Sequence, residues 1–197
     1  MISYADRSSI LPAYAEFPLS HSQRALWFLQ KMVPDGAAHN VAHAVRIRSE
    51  LDMPLFRQAF QLLIQRQPSL RTTFAASQGE PVQRVHERGE LFFQVENAAN
   101  WPEAKLDARL EEEIYRPFDL EQGPLMRVYI FSQAPDNHLL LLMMHHILTD
   151  MWSLALIMYE TSKLYAELKT GTLASLKPLR AQYTDHVQWE ADMLAGE

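Results

Sequence analysis

The sequence predicts an α/β chain: an α+β sandwich in which a mixed, mostly antiparallel sheet is flanked by helices. Helical and strand-like patterns interleave along its whole length. Short polar connections such as "SQGE" and "APDN" join strand candidates as hairpins. The run "HLLLLMMHH" is apolar at successive positions, which places it in the middle of a sheet with both faces covered.

Residues 1 to 16 show one proline and no strong period, and read as an extended leader. "LSHSQRALWFLQKM" follows as a short helix, with Ser20 or Ser22 as N-cap and Pro34 to Gly36 closing the connection. "VAHAVRIRSE" alternates as a strand, with Val41, Ala44 and Val45 near its start. In "DMPLFRQAFQLLIQRQP", Leu55, Phe60, Leu63 and Ile64 recur at helical spacing, and Pro68 stops the helix. "LRTTFA", "PVQRVH" and "LFFQVE" are strands, the first two joined by "SQGE". "EAKLDARLEEEIYRPF" is a helix whose acidic face reads as a solvated surface. "LMRVYIFSQ" and "HLLLLMMHH" form a hairpin through "APDN". The long helix "DMWSLALIMYETSKLYAELKTG" is closed by Gly171, and a last helix lies near "AQYTDHVQWEADML". Composition shifts only at "KTGTLASLKPLR", so residues 1–175 are expected to form one lobe and 176–197 a crossover segment and helix.

A chain of 197 residues can bury a sizeable core. Apolar residues at 48% and charged residues at 21% are the balance of an ordinary globular protein. The net charge of −6 and the lack of a Lys/Arg stripe argue against a nucleic-acid partner. The absence of cysteine excludes disulfides and thiolate zinc ligands, and fits a reducing cytosol. The longest apolar run, Leu139 to Met144, is far too short to cross a membrane. The first 20 residues lack the basic start and apolar centre of a signal peptide, so the expected location is cytoplasmic.

Chemistry concentrates in "MMHHILTDMWSL", residues 143 to 154. On a strand, successive side chains point to opposite faces, so His145 and His146 cannot share a pocket unless the strand has ended. One should pack inward with its ring hydrogen-bonded, and the other is free to meet a substrate. Asp150 stands where the next helix begins, and a carboxylate there caps orphan N–H groups. Taken alone, a satisfied buried histidine and a helix cap explain this stretch more simply than a catalytic set does. No metal site is expected: adjacent strand residues splay, and no second ligand pair lies at the right spacing. Neither a phosphate-binding Gly-rich loop nor a G-x-S-x-G elbow is present.

Four ordered motifs change that balance. "HHILTDM" (145 to 151) resembles the HHxxxDG signature of condensation domains from nonribosomal peptide synthetases, within the chloramphenicol-acetyltransferase-like superfamily. "LSHSQRALWFL" (19 to 29) resembles that family's opening S-x-A-Q-x-R-L-W-x-L motif, and "RQPSLRTTF" (66 to 74) its R-H-E-x-L-R-T-x-F motif. "YTDHVQW" (183 to 189) resembles Y-x-D-Y-x-x-W, and "RPFDLEQGPLMRV" is typical of the segment before the signature strand. The resemblance covers almost the whole chain but about half of the family's length. It implies a chloramphenicol-acetyltransferase-like N-terminal lobe, expected to be inactive without the C-terminal lobe that forms the other wall of the channel.

The resemblance implies amide formation between an upstream acyl or peptidyl thioester and the amine of a downstream aminoacyl thioester. Both would ride on 4′-phosphopantetheine arms of donor and acceptor carrier domains, beside an adenylation domain, with no cofactor bound by the lobe itself. An α-amine with a pKa near 7.7–8.0 is partly neutral already, so the demand on a general base is modest. His146 is expected to hold and orient the amine, with proton acceptance as a second role. His145 is expected to be structural, and Asp150 to orient the loop through a salt bridge, with Arg66 the expected partner and Arg71 next. Gln23, Trp27, Met151 and Ser153 are motif neighbours.

Two departures stand out: Met151 replaces the signature glycine, and "RQP" replaces "RHE". Met151 opens a helix, so ordinary negative φ is expected there. The histidine pair argues against a heterocyclisation domain, and "SQRALWFL" favours condensation over epimerisation. The alternatives are a degenerate docking or gating module and a CoA-dependent HxxxD acyltransferase. The HxxxxD of glycerol-phosphate acyltransferases fits His145 and Asp150 by spacing, without the other motifs.

Overall fold

In a computed structural model, residues 14–172 and 176–196 are described. Seven strands divide between two sheets. The larger is built from β2 (Asn40–Ile47), β5 (Phe92–Asn97), β6 (Met126–Ala134) and β7 (Asn137–His145), in the order β2-β7-β6-β5. The smaller contains β1 (Tyr14–Pro18), β3 (Thr72–Ser77) and β4 (Glu80–His86), in the order β1-β4-β3. All pairings are antiparallel except β5 with β6, which the helix α3 (Glu103–Ile114) joins as a parallel crossover. The α/β class and the mixed, mostly antiparallel character are as expected. The division into two sheets was not legible, because period-2 patterning marks a strand without naming its neighbour.

β7 lies between β2 and β6, the central place its apolar run demands. One face presents Leu140, Leu142 and Met144 to helices α2 (Met53–Arg66) and α4 (Met151–Thr170). The other presents Leu139, Leu141 and Met143 to a second core with Trp27 of α1 (His21–Met32), Leu106 of α3 and Phe74 of β3. The alternation of β2 buries Val41 and Val45 in part and leaves Ala44, on the opposite face, exposed. In α2 the buried stripe is Phe56, Ala59, Phe60, Leu63 and Ile64, while Leu55 is half-buried at its margin.

Local signals account for most boundaries. Ser20 caps α1 in a full capping box, accepting from Gln23 N while the Gln23 side chain accepts from Ser20 N. Gln78 and Gly79 take φ values of 53° and 89°, making the two-residue turn between β3 and β4. Gly171 ends α4 at φ 69°. The expected leader contains a strand, β1, and the rest of that leader lies outside the described residues. The last helix, α5 (Tyr183–Ala195), is fastened back onto the start of α1: Tyr183 Oη lies 3.0 Å from Ser20 Oγ, and His21 N donates to Glu190. The expected 175/176 boundary adjoins residues 173–175, which lie outside the described residues.

The acidic face of α3 needs correction. Glu111 and Glu112 are exposed, but Glu113 is buried and accepts from Arg109 at 2.6 Å and from the Tyr129 hydroxyl. Arg116 and Arg127 also face its second oxygen. Burial, then the bond to Glu113, pushes the Tyr129 phenol up to about 12. Removing Glu113 leaves the buried Arg127 and the Tyr129 hydroxyl without their carboxylate, while Arg109 keeps Glu96. Glu113→Ala is therefore expected to cost about 3–5 kcal/mol in denaturant unfolding. Glu111→Ala should stay within about 0.5 kcal/mol. Equal costs for the two would contradict this reading.

Candidate active site

The site grows from the end of β7. The strand stops at His145, and residues 146–148 form a turn before α4 begins at Met151. His145 is 1% exposed, with its ring between Phe118 and His39. Its Nδ1 accepts from Ile147 N at 3.1 Å, and its Nε2 lies 3.3 Å from Gln30 Oε1. Burial, and then the neighbouring His39 and His146, lowers its pKa to about 4. The ring is neutral at physiological pH.

His146 points the other way and is exposed. Its main-chain N–H donates to His39 O at 2.8 Å, and its Nδ1 lies 2.6 Å from Thr149 O. A carbonyl can only accept, so Nδ1 carries the proton. In that tautomer the Nε2 lone pair is left for an incoming N–H. Backbone groups alone fix both the tautomer and the ring direction.

Asp150 is exposed and serves as the N-cap of α4, with Oδ1 accepting from Ser153 N at 2.7 Å. Hydrogen bonds from Ser153 hold its carboxyl below the usual aspartate range. It makes no ion pair among the described residues. The expected partnership with Arg66 is corrected: Arg66 Nε pairs with Glu160 at 3.2 Å, and its guanidinium also donates to Lys177 O. Glu160 lies on α4 roughly 15 Å beyond Asp150 at 1.5 Å per residue, too far for one guanidinium to serve both. Arg71 is not the alternative partner either; it donates to the carbonyls of Ile64, Gln65 and His86. Two of those carbonyls belong to the last turn of α2.

The motif neighbours have distinct places. Gln23 is buried and its Nε2 reaches Ile147 O at 3.5 Å, tying α1 to the turn that carries His146. Trp27 is a core residue on the same stripe. Ser153 lines a cavity of about 80 Å³ with Leu148, Ser69 and Glu160. Ser69 and Leu148 also line a smaller cleft with Gln23 and Tyr183. Met151 is the first residue of α4, has negative φ as expected, and is 81% exposed. Among the described residues no group of three His, Cys, Asp or Glu could hold a metal, and no helix is long and apolar enough to cross a membrane.

A family model described as "Condensation domain" matches residues 14–197. The chain belongs to the condensation domain family. A linear gramicidin synthase of Brevibacillus parabrevis is 37% identical over 191 residues, 95% of this chain and 2% of its own length. Isonitrile lipopeptide synthase of Mycobacterium tuberculosis is 36% identical over 182 residues, 91% of this chain and 7% of its own. The starter condensation domain of rhizomide synthetase RzmA superposes with a TM-score of 0.82 at 23% identity, covering 91% of this chain and 44% of that one. The first condensation domain of the calcium-dependent antibiotic synthetase gives 0.84 at 19% identity, covering 92% and 46%. The condensation-domain chain thus spans less than half of these solved domains, and the structural likeness shows the fold.

Gln30 was missed in the sequence. The available signal was a second glutamine on the buried stripe of α1, seven positions after Gln23, where a polar side chain must have a hydrogen-bonding task.

Between pH 6.5 and about 4 the unfolded chain protonates His145 while the folded chain does not, so stability is expected to fall as pH drops through that window. The loss should reach on the order of 3 kcal/mol. Urea unfolding at stepped pH should show it, and His145→Phe, less stable overall, should have the shallower acid slope; equal slopes would contradict it. Asp150→Ala should cost about 1 kcal/mol as a lost cap. Glu160→Ala should cost more, about 3 kcal/mol, because it removes the buried carboxylate that half-buried Arg66 and Gln67 share. Thermal melts of the two variants test that order.

Proposed function

We propose that this lobe forms one wall of a condensation site that makes amide bonds in nonribosomal peptide, or hybrid polyketide–peptide, synthesis. The acceptor is the amine of a downstream carrier-bound aminoacyl thioester, and the donor an upstream carrier-bound acyl or peptidyl thioester. The observation that carries this is His146: an exposed imidazole whose Nδ1 is engaged by Thr149 O, leaving Nε2 bare beside a turn fixed at both ends.

The chemistry follows from that nitrogen. Nε2 accepts an N–H of the neutral acceptor amine and aligns its lone pair with the thioester carbonyl. As the C–N bond forms and the C–S bond breaks, the amine proton passes to Nε2 and from there to the departing thiolate. Because an α-amine is already partly neutral near pH 7, alignment contributes more than proton abstraction. His145 keeps the turn in place, and Asp150 does so through the start of α4. The acyl and aminoacyl groups arrive on phosphopantetheine arms of carrier domains, so the lobe itself requires no cofactor. A second lobe supplies the opposite wall, and an adenylation domain loads the acceptor carrier.

The test uses a synthetase containing this lobe together with loaded donor and acceptor carrier proteins. His146→Ala should lower single-turnover condensation roughly 10²-fold while leaving the melting temperature nearly unchanged, since an exposed ring contributes little packing. The lobe alone should give no multiple turnover. Full activity in His146→Ala would overturn its role; activity with acyl-CoA but not with acyl-carrier would favour a CoA-dependent acyltransferase. No activity in the unmodified synthetase, with carriers still bound, would favour a docking or gating module.

A further inference from the structure

Gln30 is 6% exposed and lies on the buried stripe of α1 with Gln23 and Trp27. Its Nε2 faces three backbone carbonyls of the connection after the helix: Pro34 O at 2.8 Å, Gly36 O at 3.3 Å and Val33 O at 3.5 Å. Carbonyls only accept, so the NH₂ end of the amide must point to them and the oxygen must point away. That oxygen lies 3.3 Å from His145 Nε2. An amide oxygen also only accepts, so Nε2 must carry the imidazole proton. On the other side of the ring, Ile147 N–H can only donate to Nδ1, which must therefore be bare. Two independent partners require the same tautomer.

We propose that Gln30 is a positioning residue: its amide, oriented by the Val33–Gly36 carbonyls, fixes the Nε2–H tautomer of His145. The bare Nδ1 then holds the Ile147 amide and the turn that presents His146. The reverse tautomer would set an Nδ1–H against the Ile147 N–H, and an imidazolium would do the same. The titratable groups nearest the ring are His39 and His146, with Arg127 behind the Phe118 ring. Among the described residues none of them is hydrogen-bonded to the ring, whose partners are the Gln30 oxygen and the Ile147 amide. The link to catalysis rests on the proposed role of His146, whereas the tautomer itself is measurable whatever His146 does.

The experiment is long-range ¹H–¹⁵N correlation on the histidine-labelled chain at neutral pH, with the His145 signals assigned by their loss in His145→Phe. The expected result is a pyrrole-type Nε2 and a pyridine-type Nδ1. A protonated Nδ1, or an even tautomer mixture, would overturn the proposal without any variant being made. Gln30→Met keeps the side-chain length but removes the acceptor and both donors. It should shift the His145 nitrogen signals and speed exchange of the Ile147 amide about tenfold, the loss expected of one buried hydrogen bond. Gln30→Glu keeps an acceptor but loses the donors to the turn, and should move the His145 titration midpoint upward. Unchanged His145 signals and Ile147 exchange in both folded variants would assign the tautomer to the Ile147 amide alone and overturn the role of Gln30.

Discussion

Because β7 is covered on both faces, its pleat sends successive side chains into two different cores, and the strand can end only where one of them reaches solvent. Leu140, Leu142 and Met144 belong to the α2/α4 side, and Leu139, Leu141 and Met143 to the α1/α3 side. His145 continues the second series and is drawn into a low-dielectric setting, where it must stay neutral and hydrogen-bonded. His146 would continue the first series, but the strand has ended, the chain turns there and the residue is exposed. The rest of the site is arranged around that ending: Leu125 O accepts from His145 N, His39 O from His146 N, and Asp150 opens the next helix.

The two histidines do different work because their partners differ in kind. His145 is held by one side chain and one backbone N–H, so its state depends on α1 as well as on the turn. His146 is exposed, and among the described residues its ring is held by backbone, through Thr149 O. A pre-aimed acceptor of this sort suits a reaction whose nucleophile is already partly deprotonated. Met151 takes helical dihedrals and projects outward, so the loss of the signature glycine imposes no strained backbone on the turn.

Charge in this lobe is organised away from His146. Arg66, Glu160 and Gln67 join α2 to α4, and the contact of Arg66 with Lys177 O ties in the chain after α4. Arg109, Glu113, Arg127 and Tyr129 join α3 to β6. Both groups sit where helices meet other elements, and in each a buried carboxylate neutralises cations that would otherwise be costly to cover.

Much of this was legible in the sequence, because the signals concerned are local. Helical and strand periods, the Ser20 and Asp150 caps, the Gln78–Gly79 turn and the Gly171 stop each depend on a few neighbouring residues. The pleat likewise separated the roles available to His145 and His146, and the ordered motifs named the family. Only the tertiary structure decided what is non-local: the two sheets, the burial of Glu113, the locking of Gln30 against His145, and the choice of Glu160 as the partner of Arg66. Arg66 and Glu160 are 94 positions apart, and Gln30 and His145 are 115. Such partnerships depend on the distances and angles at which separate elements pack, and no period within a single element encodes them.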